Sequence, residues 1–347
     1  MRATASLKVL LLSIVAFLVV GVPLAESGRK HLQGTVDQLL GLEVGPFAIG
    51  HRGFGENLGE DPSRPIENTV AAVRKGFRAG LSVVEVDVQL TRDGEVAVFH
   101  DDFLLPDFTC LNTLTLSELQ ARLPHVPSLQ AVLRKARTFN QASGPLQGLV
   151  IVELKAPAPL CDPNDRQERA IVSAVVRVIR RMGMTGQVML ASFSPALLSI
   201  AAKKAPDITR ILTISGLQFL TEEEVEFLLG LEVTPIDKRR DLGLQWAEIG
   251  LIFRLPGYGS LEEDAKAAIQ KVLLTAAVTG ARVIEADLFF LSLAGAPFVD
   301  ASHGYGLKVL GFTARNRTEW LFLESLEVDG IYTNDVPLGV DLQATIP

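Results

Sequence analysis

Short apolar runs rich in β-branched residues alternate with segments of helical pattern along most of this chain, beginning at Pro46. That alternation is typical of βα units, in which a buried strand of a parallel sheet is followed by a helix that covers it. Nine runs qualify as strands, enough for an α/β fold of the TIM-like (β/α)8 barrel type with one extra strand. The runs cover residues 47–50, 83–88, 96–99, 149–154, 188–193, 209–214, 282–286, 308–313 and 330–333.

Two connections depart from a regular barrel. Residues 89–95 are too few for a helix, but seven extended residues at about 3.3 Å each can run back down one strand length. The second and third strands can therefore still be parallel. The interval 215–280 is longer than a barrel connection requires and predicts an enlarged insertion, with a helix at 222–229. Its apolar patch at 246–253 is interpreted as packing on the barrel wall, with contact to an acyl or head group as the alternative.

Composition narrows the class of protein and the kind of partner. Of 347 residues, 48% are apolar and 21% are charged, which excludes a disordered chain, and 2 cysteines are too few for a disulfide-stapled miniprotein. The net charge is −7 without a basic cluster, whereas nucleic-acid binding depends on Lys and Arg side chains that displace counterions. We therefore expect a small-molecule partner and no nucleic acid. From the alternation of strands and helices we expect one barrel domain at 44–345.

The first 27 residues have the pattern of a targeting segment. Arg2 and Lys8 precede an apolar core at 9–22, and small residues stand before Gly28 at the positions that a signal peptidase reads. This core is shorter than the roughly 20 residues that a spanning helix needs. We expect a cleaved signal peptide, with an uncleaved N-terminal anchor that associates with a membrane as the alternative. In both cases the body of the protein is exported, to be periplasmic, secreted or held on the outer side of a membrane.

In an exported protein the two cysteines, Cys110 and Cys161, can form a structural disulfide. Outside the cytosol they can be oxidised, and a bridge between them would close a loop of about 50 residues and stabilise the fold. Two separate thiols are the alternative, and in neither case do the cysteines take part in the chemistry.

Carboxylates occupy strand positions that should be apolar. In the second run, the period of two puts Glu85 and Asp87 on the face opposite to the valines that meet the helices. The same alternation puts Glu153 and Lys155 on the inward side of the fourth run. A single carboxylate at a strand end could simply point at water, but inward pairs on two strands favour a cation bound between them. Oxygen ligands predict one divalent cation, Mg²⁺ or Ca²⁺.

Histidines and basic residues end strands at the same face of the expected barrel. His51 and Arg52 follow the first run, and His100 follows the third. An imidazole titrates near neutral pH, so two of them suit a reaction in which one group takes a proton and another gives one. Arg52 offers a planar fork for two phosphate oxygens, and Lys155 offers a point charge. Together with a cation, these groups predict a phosphate diester as substrate.

The candidate residues lie within a longer series of motifs. In order along the chain these are GHRG at 50–53, ENT at 67–69, VEVDVQLTRDG at 84–94, HD at 100–101, VPSL at 126–129, ELK at 153–155, SF at 192–193, FT at 312–313 and DGIYTND at 329–335. This ordered set, which spans about 290 residues, resembles the glycerophosphodiester phosphodiesterase family. The resemblance implies a TIM-like barrel that hydrolyses glycerophosphodiesters to glycerol 3-phosphate and an alcohol.

The resemblance also implies a role for each candidate residue. The metal ligands would be Glu85, Asp87 and Glu153, the acid and base His51 and His100 in either order, and the phosphate-binding pair Arg52 and Lys155. Glu67 resembles a residue that supports the site, although a carboxylate at a helix start has an equally good local role. Phe312 stands where the family often has Trp or Tyr. The stretch at 85–90 is closer to the subgroup that acts on glycerophosphocholine.

Two other functions are compatible with the same residues. A lysophospholipase D-type hydrolase would use this site on a diester that keeps its acyl chain, and substrates with and without that chain distinguish the two activities. An exported barrel that binds a ligand without turnover is the alternative from another class. Paired acid and base groups argue against it, because a binding module has no need of them.

Overall fold

The computed structural model describes residues 34–42, 45–140, 144–158, 160–164, 166–220, 257–259 and 261–345. The strands within these ranges are β1 (Phe47–Gly50), β2 (Val83–Leu90), β3 (Val96–Val98), β4 (Phe103–Leu104), β5 (Thr109–Cys110), β6 (Leu149–Leu154), β7 (Val188–Ser192), β8 (Thr209–Ile214), β9 (Val283–Asp287), β10 (Lys308–Ala314) and β11 (Gly330–Thr333). The α-helices cover Val36–Leu40, Val70–Ala79, Leu116–Arg122, Leu129–Arg137, Glu168–Met182, Pro195–Lys204, Leu261–Thr279, Leu288–Gly304, Arg317–Ser325 and Val336–Gln343. Two 3₁₀ helices cover Leu111–Thr113 and Gly216–Phe219.

Eight of the described strands close into a parallel barrel. Their order around the ring is β1-β2-β6-β7-β8-β9-β10-β11, and β1 pairs with both β2 and β11. Helices follow most of these strands and pack outside the ring, as the alternation in the sequence predicts. The prediction of a TIM-like (β/α)8 barrel with one additional strand is confirmed.

Side chains alternate between the inside and the outside of the barrel. In β2, Val84, Val86 and Val88 belong to the core between strands and helices. The residues between them point inward, and Asp87 lies opposite Glu153 in the β2–β6 pair. A separate apolar cluster fills the barrel interior below these carboxylates: Phe47, Ile49, Val83, Leu149, Ile151, Met189, Ala191, Ile211, Val283, Leu310 and Tyr332. The strand period therefore produces an apolar interior with polar side chains near its C-terminal end.

The extra strand, β3, runs antiparallel to β2, so the expectation that the second and third strands are parallel is wrong. The strand β2 continues to Leu90, and the chain then turns at once: the Thr91 N–H donates to the Glu95 carbonyl at 3.0 Å. Gly94 supplies a left-handed residue with φ 78°. The sequence Thr-Arg-Asp-Gly is thus a hairpin turn, not an extended return. The hairpin leads the chain back down, and the Phe99 N–H donates to the Asp87 carbonyl at 3.1 Å.

The helix Val70–Ala79 shows how local signals position the loop after β1. Thr69 caps its first turn by accepting a hydrogen bond from the Ala72 N–H, which satisfies a backbone donor that the helix leaves open. Gly80 ends the helix in a left-handed conformation that is costly for other residues. Because the cap sets where the helix begins, it also sets the place of the two residues before it, Glu67 and Asn68.

A disulfide joins Cys110 to Cys161, which are 51 residues apart. Hydrogen bonds run alongside it, since the Asn112 side chain donates to the Cys161 carbonyl at 2.9 Å and the Ala158 N–H donates to the Asp102 carboxylate at 3.1 Å. The segment that follows His100 is thereby tied to the loop that follows β6.

Several expectations concern residues outside the described ranges. These are the targeting segment at 1–27, the helix at 222–229 and the apolar patch at 246–253. The domain boundaries at 44–345 stay a prediction. In the interval 215–280, the structure describes residues 215–220, 257–259 and 261–280, which include the 3₁₀ helix Gly216–Phe219 and the helix Leu261–Thr279. None of the described helices combines the length and apolar character needed to cross a bilayer.

Candidate active site

A cavity of about 280 Å³ opens at the C-terminal ends of the barrel strands. Its lining contains every residue predicted to bind metal or phosphate or to transfer protons, together with Phe312. Glu67 is not part of the lining. The structure thus brings seven residues from four segments of the sequence to one cavity: His51, Arg52, Glu85, Asp87, His100, Glu153 and Lys155.

Three carboxylates form a compact cluster on one side of this cavity. One oxygen each of Glu85, Asp87 and Glu153 lies within 4.8 Å of the others. Glu85 Oε2 accepts the Arg52 N–H at 2.8 Å, whereas its buried Oε1 has no hydrogen-bond partner in the described part of the chain. Burial and the nearby charges of Asp87 and Glu153 raise the pKa of Glu85 well above its usual value. An open carboxylate oxygen beside two others fits a divalent cation with oxygen ligands.

Asp87 is held by partners from two other segments. The Asn68 side-chain amide donates to Asp87 Oδ2 at 2.8 Å, and the Asp87 N–H donates to Asn68 Oδ1 at 3.1 Å. The Lys155 ammonium lies 3.1 Å from Asp87 Oδ1. Burial opposes ionisation of Asp87, but Lys155, His100 and Arg52 outweigh it and hold the pKa of this carboxyl well below its usual range. Asp87 is therefore ionised and fixed in place.

Arg52 adopts a left-handed backbone conformation, φ 49°, that non-glycine residues seldom take. Its Nη1 donates to Glu67 Oε1 at 2.7 Å, and Glu67 Oε2 accepts the Asn57 N–H at 2.9 Å. Glu67 is 5% exposed and lies ahead of the helix cap, so its role in the structure is to hold the Arg52 guanidinium. The buried Arg52 Nε lies 3.7 Å from Asp87 Oδ2, which is too far for a hydrogen bond, so this N–H has no hydrogen-bond acceptor among the described residues.

His51 is oriented by an amide. Its Nδ1 lies 2.8 Å from Asn334 Oδ1, so Nδ1 carries the proton and Nε2 carries the lone pair. The orientation of the amide follows from Glu56, whose N–H donates to Asn334 Oδ1 while its carboxylate accepts from Asn334 Nδ2. Burial and the charge of Arg52 lower the pKa of His51 to about 4. This imidazole is neutral at neutral pH.

His100 has a carboxylate where His51 has an amide. Its Nδ1 lies 2.7 Å from Asp101 Oδ1. Burial and the charges of Lys155 and Arg52 act against protonation, yet Asp87 and the hydrogen bond to Asp101 raise the pKa of His100 to about 9. The two histidines of the cavity are therefore in opposite protonation states at neutral pH.

Glu285 is a cavity residue that the sequence prediction missed. It lies on the inward face of β9, is 3% exposed, and accepts hydrogen bonds from the Thr213 hydroxyl at 2.6 Å and from the Tyr332 hydroxyl. Burial raises its pKa to about 7. The signal was present, because Glu285 and Asp287 in Val-Ile-Glu-Ala-Asp repeat the alternation of Glu85 and Asp87. Asp287 caps the helix Leu288–Gly304 through the Phe290 N–H.

Aromatic side chains form the apolar wall of the cavity. The rings of Phe193 and Phe312 meet edge to face with centroids 6.2 Å apart, and Phe312 meets Tyr332 at 6.0 Å. Leu217 lines the same wall. The cavity thus has a charged side suited to an anion and an apolar side suited to a carbon skeleton.

With this geometry in place, comparison with known proteins identifies the family. The model of the glycerophosphoryl diester phosphodiesterase family matches residues 51–338. The chain belongs to this family. The resemblance inferred from the motifs is therefore confirmed, and the matched range includes all residues of the carboxylate cluster and both histidines.

Individual relatives of this phosphodiesterase family are more distant. A chloroplastic glycerophosphodiester phosphodiesterase of Arabidopsis thaliana is 40% identical over 60 residues, which are 16% of this chain and 17% of that protein. Another curated relative, from Bacillus subtilis, is 24% identical over 46% of this chain and 65% of its own length. The matched part of the chain thus spans less than two thirds of the length of each of these two relatives.

Solved structures share the barrel of the family. A Silicibacter pomeroyi protein superposes with a TM-score of 0.62 at 21% identity, covering 88% of this chain and 95% of that one. An Oleispira antarctica phosphodiesterase, solved in complex with the product sn-glycerol-3-phosphate, superposes with a TM-score of 0.56 at 19% identity, covering 86% and 97%. At these identities the likeness concerns the fold.

The buried Glu285 predicts a pH dependence of stability. Its folded-state pKa of about 7 lies above the usual 4.5, so the folded protein holds this proton more tightly than the unfolded chain does. The resulting stability is present below about pH 4.5 and is lost as the pH rises through 7. A Glu285→Gln variant stays neutral, so between these limits we expect it to gain up to about 3 kcal/mol in unfolding free energy relative to the unsubstituted protein.

Urea unfolding of both proteins at pH 5 and pH 8, with chelator present, measures this gain. The pH responses of groups that do not interact with Glu285 cancel in the difference, whereas Glu153, Lys155 and Tyr332 are coupled to it. A difference that stays constant with pH contradicts the buried, raised carboxyl.

Proposed function

We propose that this protein is a metal-dependent glycerophosphodiester phosphodiesterase that hydrolyses glycerophosphodiesters, such as glycerophosphocholine, to glycerol 3-phosphate and an alcohol. The observation that carries the proposal is the pairing of a neutral His51 and a protonated His100 at one cavity with three clustered carboxylates. Membership of the family and the product bound in the Oleispira antarctica relative point to the same reaction.

The carboxylate cluster suits one divalent cation, Mg²⁺ or Ca²⁺. Glu85, Asp87 and Glu153 would hold it, since their oxygens already lie within 4.8 Å of one another and Glu85 Oε1 has no donor among the described residues. When bound, such a cation acts as a Lewis acid toward phosphoryl oxygens. Both ions prefer oxygen ligands, so the ligand types alone leave the choice between them to experiment.

Arg52 and Lys155 bind and orient the phosphate in this proposal. Arg52 has a buried Nε without an acceptor, and Glu67 keeps its guanidinium from turning away. The Lys155 ammonium lies 2.8 Å from Glu153 and 3.1 Å from Asp87, at the edge of the carboxylate cluster. A phosphodiester carries one negative charge, so these two side chains can hold it beside the acidic cluster.

The surroundings of the histidines support His51 as the base and His100 as the acid. His51 keeps its lone pair on Nε2 because Nδ1 donates to Asn334, so it takes the proton from the glycerol 2-hydroxyl or from a water molecule. The oxygen so activated attacks phosphorus, and the bond from phosphorus to the head-group oxygen breaks. His100, protonated beside Asp101, gives its proton to that oxygen. Where the 2-hydroxyl attacks, water opens the cyclic phosphate with the two roles exchanged.

Removing either histidine tests the assignment. We expect His51→Ala and His100→Ala each to lower kcat by about 10²- to 10⁴-fold while the protein stays folded. A substrate with a p-nitrophenolate leaving group needs no proton donor, so it should restore much of the rate of His100→Ala but not of His51→Ala. Glycerol 3-phosphate and p-nitrophenolate release measure the two cases.

The matched control is His303→Ala. His303 also pairs with an aspartate, Asp329, at 2.8 Å, but it does not line the cavity. Its removal should leave turnover unchanged. Near-normal activity of a folded His51→Ala or His100→Ala variant would show that the assignment is wrong.

Cation binding is testable without substrate. We expect Mg²⁺ or Ca²⁺ to raise the melting temperature, because a ligand at about 100 times its Kd stabilises the folded state by about 2.7 kcal/mol. Glu85→Gln should abolish this shift and, in chelator, should melt above the unsubstituted protein, since it removes one of three clustered charges. Glu56→Gln, which changes a cavity carboxylate outside the cluster, should keep the shift. An equal shift in Glu85→Gln would contradict the proposed site.

We also propose that the protein is exported. It would then be periplasmic, secreted, or anchored by its N-terminus on the outer side of a membrane. The targeting pattern at 1–27 and the disulfide between Cys110 and Cys161 support this, since disulfides persist in oxidising compartments. In producing cells we expect the protein outside the cytosolic fraction, with both cysteines unreactive to maleimide until reduced. A cytosolic protein with reactive thiols would overturn the proposal.

A further inference from the structure

Glu285 has no part in the mechanism above, although its side chain lines the cavity. It lies in the middle of β9, and Asp287 is the next inward residue toward the rim. Thr213, on the neighbouring strand, is its direct partner in the β8–β9 register. The carboxyl therefore sits at the deep end of the cavity, below the level at which Asp287 caps its helix.

The hydrogen-bond partners of Glu285 determine what the deep end of the cavity can bind. Glu285 accepts from the hydroxyls of Thr213 and Tyr332, one on each carboxyl oxygen. A carboxylate has about four lone-pair sites, so both oxygens keep capacity for another donor. Glu153 and Lys155 both act on Glu285 through their charges, but no described cationic side chain forms an ion pair with it. The remaining capacity of these oxygens suits a small donor group, such as an alcohol hydroxyl.

The surroundings limit how large that donor group can be. Below Glu285 the barrel interior is filled by the apolar cluster that includes Ile211 and Val283. Phe193 and Phe312 flank the cavity with apolar ring surface. A short carbon skeleton that ends in a hydroxyl matches this space, whereas an acyl chain on that hydroxyl would meet the filled interior.

We propose that Glu285 is a specificity residue that accepts a hydrogen bond from the primary hydroxyl of the substrate glycerol, and so selects diesters in which this hydroxyl is free. The inference rests on the proposed function. The secondary hydroxyl stays next to His51, while the primary hydroxyl, one carbon farther from the phosphate, reaches the deep end. Tyr332 links the two places, since its ring lies 6.2 Å from His51 and its hydroxyl binds Glu285.

The test compares two substrates that differ in one oxygen. Glycerophosphocholine has the primary hydroxyl, and the phosphocholine ester of 1,2-propanediol lacks it but keeps the secondary hydroxyl. At pH 8, above the Glu285 pKa of about 7, a hydrogen bond to the charged carboxylate corresponds to a factor of about 10 to 150, so we expect kcat/KM to favour glycerophosphocholine by at least about 10-fold. Lysophosphatidylcholine, acylated on the primary hydroxyl, should be hydrolysed at least as poorly as the propanediol ester.

Substitution of Glu285 should remove this preference. In Glu285→Gln we expect kcat/KM on glycerophosphocholine to fall about 10-fold or more, mainly through KM, and the value on the propanediol ester to stay within about 2-fold. The matched control is Thr213→Val, which removes a partner hydroxyl but leaves the carboxyl, and which should keep the preference. If Glu285 had a merely structural role, Glu285→Gln would lower kcat/KM equally on both substrates. That result would overturn the inference.

The comparison of substrates on the unsubstituted protein needs no variant, so the inference stays testable even if Glu285→Gln does not fold. Equal hydrolysis of both choline esters, or rapid hydrolysis of lysophosphatidylcholine, would overturn the selectivity and leave the proposed function intact. Hydrolysis of no diester, with Mg²⁺ or with Ca²⁺, would overturn the proposed function and this inference with it.

Discussion

Repulsion among three clustered carboxylates, of which Glu85 and Asp87 are buried and Glu153 is half-buried, is the constraint on the residues around the mouth of the barrel. Their oxygens lie within 4.8 Å of one another, and burial strengthens the repulsion because the low dielectric screens it poorly. The Arg52 N–H meets Glu85, and the Lys155 ammonium lies against both Asp87 and Glu153. These contacts compensate only part of the charge. The site is thus electrostatically incomplete in a way that a cation and a phosphate anion together would resolve.

Much of this site follows from the fold in a simple manner. Parallel strands with a period of two place every second side chain inside the barrel, so carboxylates near strand ends converge without any long-range design. Other parts depend on unusual backbone conformations. Arg52 and Asn68 both have positive φ, and each turns a side chain or N–H onto the cluster from the loop after β1. The loop therefore contributes as much to the geometry as the strands do.

The sequence predicted the barrel and the cluster because both depend on local periodicity. It could not assign the two histidines, since Asn334, which orients His51, lies 283 residues away. Glu285 was overlooked although its strand has the same alternation as β2, because its partners Thr213 and Tyr332 come from distant strands and no motif joins them. The parallel assignment of β3 failed for a local reason, as a four-residue turn was mistaken for an extended return.

The antiparallel course of β3 determines how His100 reaches the carboxylates. The strand β2 passes Asp87 and continues to Leu90, and the hairpin then brings the chain back until the Phe99 N–H meets the Asp87 carbonyl. The Gln89 side chain also donates to the His100 carbonyl at 3.0 Å. The depth of the His100 imidazole in the cavity is therefore set by the residue pairing between β2 and β3 and not by the length of a loop. The number of turn residues beyond Leu90 can change without altering this depth. The barrel can therefore acquire a different rim here while His100 keeps its position.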